Sequence, residues 1–301
     1  MIAAVTLAPA LDVSYLLDRI VPGSIARPRE VIRLAGGKGL NFARAAGVLR
    51  GTATVVAPLG GRIGQLVIDL AAADGIDLRP VPIRGETRMC VSAVPDEGAP
   101  TEFYEPAPDL AEAEAAAVLD AVAGLGDASW VAVTGRVPAT LPLPALAAAL
   151  RASGARIAVD TSGVALAALA PTRPALVKVN RTEAAELLGS DASTGELAAA
   201  LRERPGGIAV VTDGAHGAVA SGPGGVWRAE PDPEPGRYGI GSGDSFLAGL
   251  LHALERGDPL PEALALASAA GSANTRRPGG ARFAASDVDA ALGRIRVVRG
   301  A

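Results

Sequence analysis

Lysine is almost missing from this chain. Lysine and arginine together number 28, but only Lys38 and Lys178 are lysines, so 26 are arginines. An ammonium is a compact point charge that reaches one phosphate oxygen without the fork of a guanidinium. A bias toward arginine could leave two lysines by accident, yet both fall beside groups suited to phosphate handling. Cys90 is the only cysteine, which excludes an internal disulfide and a cysteine-based zinc site; a small buried hydrophobe is its expected role. His216 and His252 are the only histidines, so neither a His-rich metal centre nor a Ser-His-Asp relay is expected. Aromatic residues make up 3% against 49% hydrophobic residues, which makes the core one of Ala, Leu and Val. Basic runs are missing too, and the net charge is -4, so no nucleic-acid partner is expected. The chain starts without a basic leader, and no run of about 18 apolar residues free of charge and glycine occurs. The expectation is a soluble, cytoplasmic protein with no membrane partner.

What is present is an alternation of short β-branched runs with Ala/Leu-rich helical patterns. Strands are predicted at 2–7, 54–59, 130–134, 156–160, 176–180 and 208–212. Helices are predicted at 40–49, 64–73, 111–123, 143–152, 182–188, 195–204, 244–256 and 261–276. Such alternation implies an α/β fold with a mainly parallel sheet covered by helices on both faces. Ligands then bind beyond the carboxyl ends of the strands, where Lys178, Asn180, Thr212 and Asp213 project. Two regions break the pattern: 13–20 with 29–34, and 88–94 with 101–104, read as strands without intervening helices. Together they predict a small second sheet, a discontinuous lid from about 12–34 and 87–105 on a single domain spanning 1–301. No internal repeat is visible.

The most informative stretch is Gly241-Ser242-Gly243-Asp244, which runs into an apolar helix pattern. Its glycines let successive N–H groups point at one spot, and the helix adds its positive end there. A carboxylate in an anion site makes sense if it takes a proton from a hydroxyl that attacks a bound phosphate. An ordinary glycine turn with Asp244 as N-cap is the plain alternative. Lys38 lies in Ala35-Gly36-Gly37-Lys38-Gly39-Leu40-Asn41, a second glycine loop opening a helix. Asp12, after the first strand, could accept hydrogen bonds from sugar hydroxyls or sit in a surface turn. Arg88 and Arg136 could clamp an anionic substituent, although with 26 arginines any one is more often a solvated cation. Glu183, in Asn180-Arg181-Thr182-Glu183, is a helix-dipole partner or a holder of magnesium through water. Thr212-Asp213-Gly214-Ala215-His216-Gly217 reads as a phosphate-binding turn or a simple hairpin.

Taken together, these residues resemble the PfkB (ribokinase-like) family of carbohydrate kinases over nearly the whole chain. Gly36-Gly37-Lys38-Gly39-Leu40-Asn41 and Gly241-Ser242-Gly243-Asp244-Ser245-Phe246 are similar to its two signatures, in order and separation. Val159-Asp160-Thr161-Ser162-Gly163 and Leu176-Val177-Lys178-Val179-Asn180 look like further family blocks. The opening Thr6-Leu7-Ala8-Pro9-Ala10-Leu11-Asp12 resembles the hexose-phosphate branch: 1-phosphofructokinase, the minor 6-phosphofructokinase and tagatose-6-phosphate kinase. The resemblance implies a three-layer α/β/α sandwich and ATP-dependent transfer of the γ-phosphoryl to a hydroxyl of a hexose phosphate, with Mg2+. It implies Asp244 as base, with the amides of Gly241, Ser242 and Gly243 on the transferring group. Asp12, Gly36, Gly37 and Asn41 would hold the sugar, with Lys38 and Arg88 on its phosphate. Lys178 and Asn180 would approach the ATP phosphates, Glu183 the magnesium hydration shell, Thr212, Gly214 and Gly217 the nucleotide, and residues 270–277 the adenine. A homodimer through the lid is expected from the same resemblance and from exposed strand edges.

The chain also departs from the family pattern. Tyr238-Gly239-Ile240 precedes Gly241 where Asp-Thr-x is common, and Ser242 replaces an alanine. Thr134-Gly135-Arg136-Val137-Pro138 puts a bulky cation where a small hydroxyl is usual, which reopens the substrate. The competing expectations are a kinase for an unphosphorylated sugar or nucleoside, and a sugar-phosphate sensor descended from a kinase.

Overall fold

A computed structural model describes residues 1–203 and 207–300. The first half contains β1 (Ile2–Thr6), β2 (Ala10–Leu17), β3 (Glu30–Gly36), α1 (Lys38–Val48), β4 (Ala53–Leu59), α2 (Gly61–Ala73), β5 (Asp77–Pro82), β6 (Arg88–Pro95), β7 (Thr101–Tyr104), α3 (Glu112–Ala123), β8 (Trp130–Thr134) and α4 (Leu143–Ala152). The second half contains β9 (Arg156–Asp160), α5 (Gly163–Leu169), β10 (Leu176–Asn180), α6 (Arg181–Leu188), α7 (Thr194–Glu203), β11 (Ile208–Thr212), β12 (Ala218–Gly222), β13 (Gly225–Ala229), α8 (Ser242–Arg256), α9 (Leu260–Asn274), α10 (Ala285–Leu292) and β14 (Val297–Arg299). Among the described residues, ten strands form one sheet in the order β14-β13-β12-β11-β10-β9-β8-β1-β4-β5. From β5 to β11 all neighbours are parallel, and β12, β13 and β14 close the far edge antiparallel.

Alternation along the strands explains the three layers. Ile2, Ala4, Ala132, Ala158 and Leu176 pack on one face with Phe42 of α1, Leu247 of α8 and Leu264 of α9. Ala3, Val5, Val131, Val133, Val159 and Val177 point the other way, onto Val118 of α3, Leu146 of α4 and Leu197 of α7. Each buried Val, Leu, Ile or Phe among them contributes about 1.5–3 kcal/mol by leaving water. Cys90 is free and buried, and burial raises its thiol to about 11, as suits a packing residue.

The second sheet runs β3-β2-β6-β7, with β2 antiparallel to β3 and parallel to β6. Leu16, Ile32 and Val94 gather on it around Leu34 and Tyr238. Arg29 and Arg237 both bond Asp96 of this sheet, so the chain leading to Gly241 is tied to it. The β7 edge is exposed along its length, Phe103 and Tyr104 included.

Several expectations need correction. Asp12 lies within β2, not in a turn after the first strand, because β2 starts at Ala10 and pairs with Gly36 at once. Strands β5, β13 and β14 and helices α5 and α10 were not expected, and β12 only as the second arm of the alternative hairpin. Val219 and Val226 alternate with Gly, Ala, Ser and Arg, so β12 and β13 carry too few branched residues to stand out locally. The helix predicted at 195–204 is α7; its last residue, 204, lies outside the described residues. Among the described residues no helix is long and apolar enough to cross a membrane.

The loop before Gly241 is anchored by Asp232. Arg294 donates to both its oxygens at 2.8 and 2.7 Å, the Ser272 hydroxyl at 2.5 Å and the Glu234 N–H at 3.0 Å. The Arg294 guanidinium first, then the Ser272 hydroxyl, holds the Asp232 carboxyl well below the usual carboxylate range despite burial. A depressed folded pKa adds stability that is complete above the unfolded value, about pH 4, and is lost on acidification. Asp232→Asn is therefore expected to cost about 2 kcal/mol near pH 7, roughly 4 °C in Tm, and less at pH 3. Thermal unfolding of both proteins across pH checks this; a deficit that does not shrink in acid would contradict it.

Candidate active site

Three elements end at the same place. Helices α1 and α8 both begin at the carboxyl edge of the parallel sheet, and β9 and β10 end there. Each helix starts on a glycine that an L side chain could not replace without strain: Gly37 at φ 101° and Gly241 at φ 83°. These turns aim the first-turn N–H groups into the cleft.

Asp244 lies in the first turn of α8, nearly buried, and its Oδ2 accepts a 2.9 Å hydrogen bond from Asn41 Nδ2. Burial pushes its carboxyl above the usual value; the Lys38 ammonium, the Asn41 bond and Lys178 pull the other way. The free amides differ from expectation. The Ser242 N–H is spent on Gly239 O at 3.1 Å, closing the turn into the helix, so it is not free as its neighbours are. Among the described residues the N–H groups of Gly241, Gly243 and Asp244 have no backbone partner. Lys178 closes this site: its Nζ lies 3.0 Å from where a β-carbon on Gly243 would stand.

Asp160 joins the two lysines. Lys38 Nζ is 2.7 Å from Asp160 Oδ1, and Lys178 Nζ is 2.8 Å from Asp160 Oδ2. Lys178 and Asp160 stand two residues beyond the paired Leu176 and Ala158, so pleating turns both toward the α1 and α8 layer. Burial alone would push the Asp160 carboxyl up, but Lys178 and Lys38 outweigh it and hold it at about 2. Lys38 is raised by the same pairing, against the cost of burial.

The remaining predicted residues fall into place unevenly. Asp12 packs directly over Gly36, where a β-carbon would run into its carboxyl. Burial raises Asp12 to about 7, opposed by Arg44, reinforced by Asp244 and opposed again by the Gly37 N–H and Arg88. Arg88 is held at 3.0 Å by each of two carbonyls, Ala8 O and Glu105 O, so its guanidinium is partly committed to the small sheet. Arg136 is exposed beside Gly135, against which the Lys38 side chain packs, and makes no side-chain bond among the described residues. Asn180 and Glu183 cap α6 reciprocally, at 2.8 and 2.9 Å. The Glu183 charge nonetheless adds a minor part to the raising of Lys38, after that of Asp160. Thr212 ends β11 opposite Asn180, and Gly214 and Gly217 form the turn into β12, the hairpin that was the plainer alternative.

Sequence reasoning gave Asp160 no site role and placed Asn274 only within the 270–277 adenine segment, with no role of its own. Asn274 is fully buried; it donates to Ile240 O at 2.8 Å and Ser242 Oγ at 3.0 Å and accepts from Ala281 N–H at 2.7 Å. Residues 270–277 thus buttress the turn before Asp244, with Thr275 bonding Gly236 and Tyr238. The signal for Asp160 was a carboxylate ending a buried strand; for Asn274 no local signal exists.

Comparison with known proteins identifies the class. Residues 4–286 match the pfkB family carbohydrate kinases. Phosphofructokinase-2 from Escherichia coli, in a potassium complex, is 26% identical with a TM-score of 0.89, over 97% of this chain and 98% of its own. The same enzyme with substrates and products is 27% identical at 0.89, with the same coverage. A Thermotoga maritima protein named as a possible 1-phosphofructokinase shares the fold, at 21% identity and 0.87, over 100% of this chain and 99% of its own. The chain belongs to the PfkB family of carbohydrate kinases, phosphotransferases with an alcohol group as acceptor.

Removing the shared carboxylate tests the centre of this site. Asp160→Asn leaves the buried Lys178 ammonium unpaired and is expected to cost about 3 kcal/mol. Inorganic phosphate should recover more of the lost Tm in the variant than it adds to the wild type, read by scanning fluorimetry. Equal phosphate effects on both would contradict the pairing.

Proposed function

We propose that this chain transfers the γ-phosphoryl of ATP to a hydroxyl of a hexose phosphate: fructose 1-phosphate, fructose 6-phosphate or tagatose 6-phosphate. The observation that carries it is the juxtaposition of Asp244 with unpaired helix-start amides and two ammonium groups. A buried carboxylate with a raised pKa, bonded to a neutral amide, is a competent base. Asp244 takes the proton of the acceptor hydroxyl, and the alcohol oxygen bonds to the γ-phosphorus. The bridging bond breaks and ADP leaves with its electron pair. Charge on the three equatorial oxygens is met by the Gly241 and Gly243 N–H groups and Lys178, groups oriented before substrate arrives.

Asp12, Gly36, Gly37 and Asn41 hold the sugar in this reading, with Lys38 and Arg136 on its phosphate. The exposed guanidinium of Arg136, without a side-chain bond among the described residues, supports a phosphorylated acceptor; Arg88, partly committed elsewhere, plays the lesser part. Asn180, Thr212, Gly214 and Gly217 receive the nucleotide. Magnesium fits at Glu183 through water, since one carboxylate oxygen is used in the cap and the other is left to accept. When bound, the ion neutralises phosphate charge. The small sheet closes over the sugar and limits wasteful hydrolysis. Its exposed β7 edge supports a homodimer through this lid.

Asp244→Asn is expected to lower kcat by about 10³-fold with ATP binding retained; a variant that still turns over removes the base. A coupled ADP-release panel across fructose, ribose, adenosine and hexose monophosphates should favour the phosphates, and Lys38→Ala should weaken them selectively. Preference for a free sugar or nucleoside would overturn the substrate class. With Asp12 at about 7 and Asp244 raised, kcat/KM should fall as pH drops below about 7, not near 4.

A further inference from the structure

Arg44 takes no part in the chemistry above, yet it is among the most fully engaged side chains near it. It lies one turn into α1 after Asn41, with its side chain 9% exposed. Its Nη1 donates to Asn41 Oδ1 and Gly280 O, both at 3.1 Å, and its Nη2 to Ala35 O at 2.7 Å. Its Nε donates to Asp74 Oδ2 at 2.8 Å, outside the cleft. Ala35 precedes Gly36, over which Asp12 packs. Gly280 lies so close to Gly241 that a β-carbon there would stand 2.6 Å from the Gly280 Cα. One guanidinium thus ties together both helix starts.

The bond to Asn41 has a chemical consequence. A carboxamide has one accepting and one donating end, and a free Asn beside a carboxyl can turn either toward it. Its oxygen would suit a protonated acid, and its N–H a carboxylate. We propose that Arg44 is a positioning residue for the base: by filling Asn41 Oδ1 it commits the Asn41 amide to donate to Asp244 and fixes where that carboxylate points. The inference rests on the assignment of Asp244 as base. Arg44 also opposes the protonation of Asp12 more strongly than any other neighbour. The charged and titratable groups around Asp12 are Arg44 on α1, Asp244 on α8, Arg88 and Cys90 on β6 and Tyr104 on β7. Loss of the Arg44 charge therefore disfavours the ionised form of Asp12, while release of the Asn41 amide weakens the bond that favours the ionised form of Asp244.

The test uses the full chain with ATP and whichever acceptor the wild type turns over best. Arg44→Met is expected to lower kcat about 30-fold and move the acid limb of kcat/KM up by about one pH unit. Arg44→Lys keeps the charge but not the fork; it should lose about tenfold in kcat with the limb nearly unmoved. In an Asn41→Ala background, Arg44→Lys should add less than about threefold, because it acts through Asn41. Asp74→Asn removes only the outer partner and should leave kcat and the limb unchanged. A folded Arg44→Met with kcat within about twofold of wild type and an unmoved limb would overturn the proposal. If Arg44→Met does not fold by circular dichroism, Arg44→Lys decides, and wild-type kcat in it overturns the proposal. Activity retained in Asp244→Asn sinks the base assignment; an inactive Asp244→Asn alongside unaffected Arg44 variants sinks this inference alone.

Discussion

The site depends on one buried carboxylate that serves two ammonium groups. Asp160 is desolvated, and it stays ionised only because Lys38 and Lys178 each place a nitrogen within 2.8 Å of it. The two ammonium groups share this one carboxylate, so neither lysine is left unpaired. Remove the carboxylate and Lys178 becomes an uncompensated charge inside a strand. Remove the lysines and Asp160 has no reason to be ionised there. The chain carries only two lysines, and the fold spends both on this ion triad.

The architecture explains why that triad lies where it does. A parallel sheet ends all its strands on one edge, and the helices that follow begin there with unsatisfied N–H groups. β9 and β10 bring Asp160 and Lys178 to that edge, while α1 and α8 bring Lys38, Asn41 and Asp244. The small sheet adds Asp12, and its ties to Arg237 and Tyr238 link its position to the turn that opens α8. Buttressing by Asn274 and anchoring by Asp232 keep that turn rigid from behind. Rigidity is useful here because preorganised donors need no rearrangement as charge develops.

Much of this was legible locally. Short, nearly continuous β-branched runs marked β1, β4, β8, β9, β10 and β11, since strands buried on both faces need branched or apolar side chains throughout. The two glycine loops marked both helix starts, because only glycine tolerates the backbone angles found at Gly37 and Gly241. The antiparallel strands β13 and β14 were not legible: their side chains are mixed or few, and β14 meets its partner β13 only from far along the chain. The sequence could not show that the Ser242 N–H bonds Gly239 O in the turn that opens α8.

By itself the sequence determined the α/β alternation, the small second sheet, the two glycine loops and the scarcity of lysine, because each is written in consecutive residues with a local steric or electrostatic meaning. Only the tertiary structure decided that Asp160 pairs with both lysines, that Asn41 bonds a residue 203 positions away, and that Arg44 and Asn274 hold the site together. Those facts are about direction and distance between side chains on different elements. They exist only once the sheet has brought its strand ends and helix starts to one edge.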